Sequence, residues 1–121
     1  MALILLADDD SAYLTMMTDC LKLEGYEVET ARDAGQIEAL LSARPFNAAI
    51  LDMQMPLGGG IAGVKKIRSH YAHVTIPIIV CSGMPADKTG EWFKGMEKLT
   101  VYQKPPDIRG LMAELKRLLE A

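Results

Sequence analysis

Short apolar runs alternate with stretches of helical periodicity along the whole chain, and this alternation restricts the fold more than any other feature. Leu3–Ala7 is unbroken apolar sequence, as a strand covered on both faces requires. From Ser11 to Glu24, Leu14, Met17 and Leu21 recur at helical spacing; Ser11 is placed to cap this helix and Gly25 to end it. Tyr26–Thr30 alternates Tyr26 and Val28 with Glu27 and Glu29, the pattern of an edge strand with one wetter face. Residues 33–43 place Ile37, Leu40 and Leu41 on one helical face, and Pro45 follows. Ala48–Leu51 reads as a buried strand that terminates in Asp52.

The second half repeats the pattern. Gly60 to Tyr71 carries Ile61, Val64 and Ile67 in helical register, with His70 or Tyr71 next. Ile76–Cys81 is β-branched and uncharged, with Pro77 near its first position, where a missing donor does least harm. Ala86 to Met96 is a weaker helix interrupted by Gly90 and Gly95, and Thr100–Gln103 is a fifth strand. Asp107 is placed to cap a strongly amphipathic helix with Ile108, Leu111, Met112, Leu115, Leu118 and Leu119 on one face. There is no repeat, linker or low-complexity segment, so residues 1–121 are expected to form one domain. Five strands alternating with five helices predict a parallel sheet covered on both faces, with right-handed crossovers. In such sheets ligands bind outside the carboxyl ends of the strands, at the switch in strand order.

Four of the five strands end in polar residues of a definite kind. The first ends at Asp8 and Asp9, the third at Asp52, the fourth at Ser82 and the fifth at Lys104. One end of a parallel sheet carries them all, so they are expected to converge. Carboxylates held together repel and raise each other's pKa unless a cation sits among them. Hard oxygen donors suit Mg²⁺, which accepts one or two carboxylates together with phosphate oxygens; Mn²⁺ can take its place. A lysine adds a mobile positive charge and a hydroxyl adds a donor. This set suits a transferring phosphoryl group, with one carboxylate as the nucleophile. Taken singly, each residue has a plainer role, as a helix cap, a turn hydroxyl or a surface lysine. Their occurrence at successive strand ends favours chemistry.

Composition narrows the classes further. The net charge of −3, spread along the chain, excludes the basic footprint of direct nucleic-acid binding. No apolar stretch is long enough to span a bilayer, and Met1–Ala7 is too short and lacks the basic leader of a signal peptide, so a cytoplasmic location is expected. Cys20 and Cys81 read as small reduced core residues. His70 and His73 lie near a helix end with no third ligand close by, and read as a solvated terminus.

Read together, Ile4-Leu5-Leu6-Ala7-Asp8-Asp9-Asp10, Gly25-Tyr26-Glu27-Val28, Ile50-Leu51-Asp52-Met53-Gln54-Met55-Pro56, Ile76-Pro77-Ile78-Ile79-Val80-Cys81-Ser82-Gly83 and Lys104-Pro105 resemble the receiver domain of bacterial two-component response regulators. The resemblance covers essentially the whole chain. It implies a flavodoxin-like, doubly wound (βα)5 three-layer sandwich with sheet order 2-1-3-4-5. It also implies a role for each residue. Asp52 would accept a phosphoryl group from a sensor histidine kinase or a phosphotransfer protein. Asp9 would bind Mg²⁺ directly, Asp8 through water or by positioning, and the backbone carbonyl of Gln54 would complete the protein ligands, Asp52 included. Ser82 would hydrogen-bond the phosphoryl group and shift when it arrives, the Gly83 amide would help hold it, and Lys104 would pair with one of its oxygens. The Lys104–Pro105 bond would be cis.

The aspartate triplet allows Asp8/Asp9 or Asp9/Asp10 as the metal pair; the first ends the apolar run directly and keeps the family spacing to Asp52. Val101 stands where the family usually has Tyr or Phe, and Tyr102 is expected to face the other way. Glu97 and Pro106 also depart from the family pattern, and Gly58-Gly59-Gly60 predicts a flexible loop after Asp52. The leading function is a phosphorylation-controlled interaction module that assists its own phosphotransfer and dephosphorylation and is not an enzyme on an external substrate. Phosphorylation would switch binding of a downstream partner, and a phosphorylation-dependent homodimer is one form this could take. The alternatives are a degenerate receiver that only docks, an aspartyl-phosphate phosphohydrolase and a flavin module. Gln54 stands where the phosphohydrolase needs a second acid, and Asp8–Asp10 would repel a flavin phosphate. The chain starts two residues before its first strand and stops with its last helix, which fits a stand-alone receiver and a piece of a longer regulator equally.

Overall fold

A computed structural model describes residues 1–72, 74–104 and 107–120. Five parallel strands form one sheet: β1 (Leu3–Ala7), β2 (Glu27–Ala31), β3 (Ala48–Asp52), β4 (Ile78–Ser82) and β5 (Leu99–Gln103). Their order is β2-β1-β3-β4-β5, so the wetter second strand is an edge, as its alternation predicts. The helices are α1 (Ser11–Leu23), α2 (Ala34–Ala43), α3 (Gly59–His70), α4 (Ala86–Gly90) and α5 (Ile108–Glu120). This is the doubly wound, flavodoxin-like arrangement expected from the sequence.

Strand parity divides the core into two layers. Leu3, Leu5, Ala49, Leu51, Ile78 and Val80 face Ile37 and Leu41 of α2, Val64 and Ile67 of α3, and Phe93. Ile4, Leu6, Ile50, Ile79 and Cys81 face Leu14, Met17 and Leu21 of α1 and Leu111, Met112, Leu115 and Leu118 of α5. Burying each Val, Leu, Ile, Phe or Met side chain among these contributes roughly 1.5–3 kcal/mol, which holds both helical layers on the sheet. Val101 packs in the first layer and Tyr102 in the second, so the two do face opposite ways. No described helix is long and apolar enough to cross a membrane.

Several local expectations are corrected. Asp10, not Ser11, caps α1: its carboxylate accepts the N–H groups of Ala12 (2.9 Å) and Tyr13 (3.2 Å), and Ser11 is the first helical residue. Gly25 does end α1, at φ 92°. β3 includes Asp52, and β4 starts at Ile78; Pro77 lies just before it, with its carbonyl accepting from Ala49 N–H. The expected fourth helix is only Ala86–Gly90, followed by a 3₁₀ turn at Glu91–Phe93 and a left-handed Gly95. Cys20 is half-buried on α1 rather than core, whereas Cys81 is buried; both are free. His70 is an exposed helix end. The expected cis bond at Lys104–Pro105, the change at Pro106 and His73 lie outside the described residues.

The three glycines after Asp52 also differ from expectation. They form a tight joint rather than a loose loop. Gly58 and Gly59 take φ values of 97° and 63°, which glycine adopts freely. The Gly60 N–H donates to the Met53 carbonyl at 2.9 Å. A Cβ on Gly60 would lie 2.9 Å from both the Asp52 carbonyl oxygen and Met53 Cα, and one on Gly59 would lie 2.3 Å from the Met53 carbonyl oxygen. Glycine lets α3 start directly against the backbone that carries Asp52.

Candidate functional site

Sheet register brings the strand ends together. Ala7 lies opposite Leu51, so the next residues, Asp8 and Asp52, emerge side by side. Asp52 lies opposite Cys81, and Ser82 opposite Gln103, which Lys104 follows. The Lys104 N–H donates to the Ser82 carbonyl at 2.7 Å and the Met53 N–H to that of Cys81 at 2.7 Å, which continues the ladder past the strand ends. By parity Asp8, Asp52 and Lys104 continue the rows that face α1 and α5, while Ser82 continues the opposite row.

Ligand oxygens of Asp8, Asp9 and Asp52 all lie within 4.8 Å of one another. Asp8 and Asp52 are buried and Asp9 is exposed, so the cluster opens to solvent on one side. Asp8 Oδ1 accepts the Asp10 N–H at 3.0 Å. Asp10 uses its carboxylate to cap α1, and the acids that cluster are Asp8, Asp9 and Asp52. Lys104 Nζ lies 2.5 Å from Asp8 Oδ2 and 3.4 Å from Asp52 Oδ1, so one ammonium serves both buried carboxylates. Asp52 Oδ1 also accepts the Gln54 N–H at 3.3 Å. Ser82 is fully buried; its Oγ accepts the Met84 N–H at 3.1 Å. Gly83 is exposed, with open space where a side chain would stand.

The electrostatics follow from this packing. Burial first, and then the Asp8 carboxylate, push the Asp52 pKa above its ordinary value, and Lys104 and the Gln54 N–H only partly offset them. Burial works against the Lys104 charge, but the hydrogen bond to Asp8 and the attraction of Asp52 outweigh it and raise the lysine pKa. The site thus holds two buried carboxylates against one cation. The donor set, three carboxylates of which one is exposed, matches a hard divalent cation that keeps part of its water.

Two residues were not singled out in the sequence. Arg32 follows β2 and donates to the Asp9 carbonyl at 2.9 Å, which fixes the backbone of the exposed acid. Tyr13, in the first turn of α1, lies with its ring 4.3 Å from Lys104 Nζ.

Known proteins resemble this chain in sequence and fold. Residues 4–116 match the model of the response regulator receiver domain. The chain is 34% identical, over 96% of its length, to 49% of the transcriptional regulatory protein PrrA of Mycobacterium tuberculosis. The curated relatives it matches are longer: the chain spans from 17% to about half of their lengths. Among solved structures, the chemotaxis protein CheY4 of Vibrio cholerae superposes with a TM-score of 0.86 at 29% identity, over 98% of each chain. The receiver domain of the sensor histidine kinase PA1611 of Pseudomonas aeruginosa, described with a magnesium ion in its active-site cleft, shares the fold. Its TM-score is 0.83 at 23% identity, over 99% of this chain and 98% of that one.

Proposed function

The chain belongs to the response regulator receiver family, and from that premise we propose that Asp52 is its phosphoacceptor. The observation that carries this is the set of three converging carboxylates, within 4.8 Å, with Lys104 shared between Asp8 and Asp52. An Asp52 oxygen would attack the phosphorus of a phosphohistidine on a sensor kinase or phosphotransfer protein. The new O–P bond forms as the N–P bond breaks, and the imidazole leaves with that electron pair.

The carboxylates of Asp8, Asp9 and Asp52 and the Gln54 carbonyl would hold Mg²⁺, as the cleft of the Pseudomonas relative does. Bound there, the ion would supply positive charge to the phosphoryl oxygens. Lys104 would turn from Asp8 toward a phosphoryl oxygen, and Ser82 Oγ and the Gly83 amide would donate to the others. Ser82 would then exchange its present bond with Met84 for one to the phosphoryl group. The same groups would orient water for slow self-dephosphorylation. Residues 1–121 act here as one receiver domain, in the cytoplasm, where a kinase can reach it. Phosphorylation would bias a two-state equilibrium that downstream partners, a second copy of the chain among them, read.

Beryllofluoride, a mimic of the phosphoryl group, tests this reading. With Mg²⁺ it should shift the backbone amide resonances of Gln54, Ser82, Gly83 and Lys104 together. Unchanged amides at saturating beryllofluoride would instead support a receiver that serves only for docking.

A further inference from the structure

The ring of Tyr13 carries an observation that the acid, hydroxyl and lysine set does not absorb. Lys104 Nζ sits over its face, 4.3 Å from the centroid, while donating to Asp8 at 2.5 Å. The Tyr13 hydroxyl is buried beside the Cys81 thiol and makes no well-formed hydrogen bond among the described residues. It lies in the field of Cys81, Asp8 and Asp52, and burial, with these neighbours adding to it, drives its pKa far upward. A thiol is only a weak partner for a hydroxyl, so hydrogen bonding alone does not hold this residue in place. Its ring does: one part packs in the layer between the sheet and helices α1 and α5, and its face meets the ammonium. Parity explains the meeting, because Asp8, Asp52 and Lys104 continue the strand rows that face α1.

We propose that Tyr13 is a positioning residue for Lys104, and that its aromatic face holds the ammonium at the Asp8–Asp52 pair, ready for the phosphoryl group. A flexible four-carbon stem leaves a lysine many rotamers, and a ring under the ammonium removes most of them. The proposal rests on the phosphoacceptor reading for its consequence but not for its geometry. α1 thereby becomes an element whose packing senses where Lys104 points.

Three variants test it: Tyr13→Leu, Tyr13→Met should the leucine variant fail to fold, and Tyr13→Phe as the conservative replacement. In the resting protein, ring currents should displace the Lys104 Cε proton resonances upfield; the displacement should vanish without the ring and return in Tyr13→Phe. With Mg²⁺ and acetyl phosphate, loss of the ring should slow phosphorylation about 3- to 10-fold, the range expected of a partly buried cation–π contact, and Tyr13→Phe should recover most of it. In a Lys104→Ala background the leucine substitution should slow the reaction no further. An undisplaced Lys104 resonance, or an equal loss in the Lys104→Ala background, would overturn the proposal. If the unsubstituted chain forms no adduct at all, the phosphoacceptor reading fails, and the resonance measurement still decides whether Tyr13 seats Lys104.

Discussion

Lys104 and Asp8 are 96 residues apart in sequence, yet the lysine ammonium lies 2.5 Å from an Asp8 carboxylate oxygen that is almost wholly buried. Replacing Lys104 with Met strands two buried carboxylates. Breaking a fully buried pair costs about 3–5 kcal/mol, and the lysine is partly exposed, so a loss of roughly 2–3 kcal/mol is expected in metal-free protein. The same variant should bind Mg²⁺ more tightly, since no ammonium competes for the carboxylates. Mg²⁺ at about a hundred times its dissociation constant would then return about 2.7 kcal/mol. Denaturant titrations with EDTA and with Mg²⁺ measure both effects; an unchanged metal-free stability would show that the pair carries little energy.

Asp52 sets a pH dependence whose sign is fixed by its raised pKa, caused first by burial and then by Asp8. The folded state holds the Asp52 proton more tightly than the unfolded state does. The stability this gives is complete below the ordinary aspartate value of about 4 and is lost as pH rises through the higher folded value. Ionised Asp52 is therefore a net burden near neutrality. Asp52→Asn should gain stability relative to the unsubstituted chain as pH rises from about 4 toward 8 without metal. A gap between the two melting curves that stays constant, or that closes with rising pH, would contradict this.

Asp9 and Asp10 are adjacent but do different work. Asp9→Ala should lose most Mg²⁺ affinity and cost little stability, because its side chain is exposed. Asp10→Ala should keep Mg²⁺ binding and lose about 1 kcal/mol, the worth of an N-cap, because its carboxylate holds the Ala12 and Tyr13 N–H groups. Isothermal titration and thermal melts on both variants separate the roles; equal losses of metal affinity would reopen the choice of pair.

Gly60→Ala should be harmful although alanine favours helices. Its Cβ would press on backbone atoms of Asp52 and Met53 at 2.9 Å, where no side chain can yield. A loss of roughly 1–3 kcal/mol is expected, with a weaker metal site, because the displaced strand end carries Asp52. Gly83→Ala, which meets open space, is the control. Equal stability of the two variants would remove the tight joint from the account.

Much of this is legible in the sequence alone. Apolar runs and helical periods gave the five alternating units, because each strand is buried on both faces and each helix on one. The ends of those runs pointed to Asp8, Asp9, Asp52, Ser82 and Lys104. What escaped was what depends on neighbours distant in sequence. A glycine triplet reads as freedom until the backbone that it abuts is known. Ser11 and Asp10 are both capping residues, and only the backbone turn selects the second. Pro77 falls outside β4 because pairing starts at Ile78, a register set by β3. Tyr13 sits one position before the Leu14 of the apolar stripe, and its contact appears only when strand parity aims Lys104 at α1.

The most direct test of the central claim is the site of phosphorylation. After incubation with Mg²⁺ and acetyl phosphate, intact mass spectrometry should show the addition of one phosphoryl group, and peptide mapping should place it on Asp52. Asp52→Asn should show none. An adduct that persists at full yield in Asp52→Asn, or its absence from the unsubstituted chain, would contradict the account.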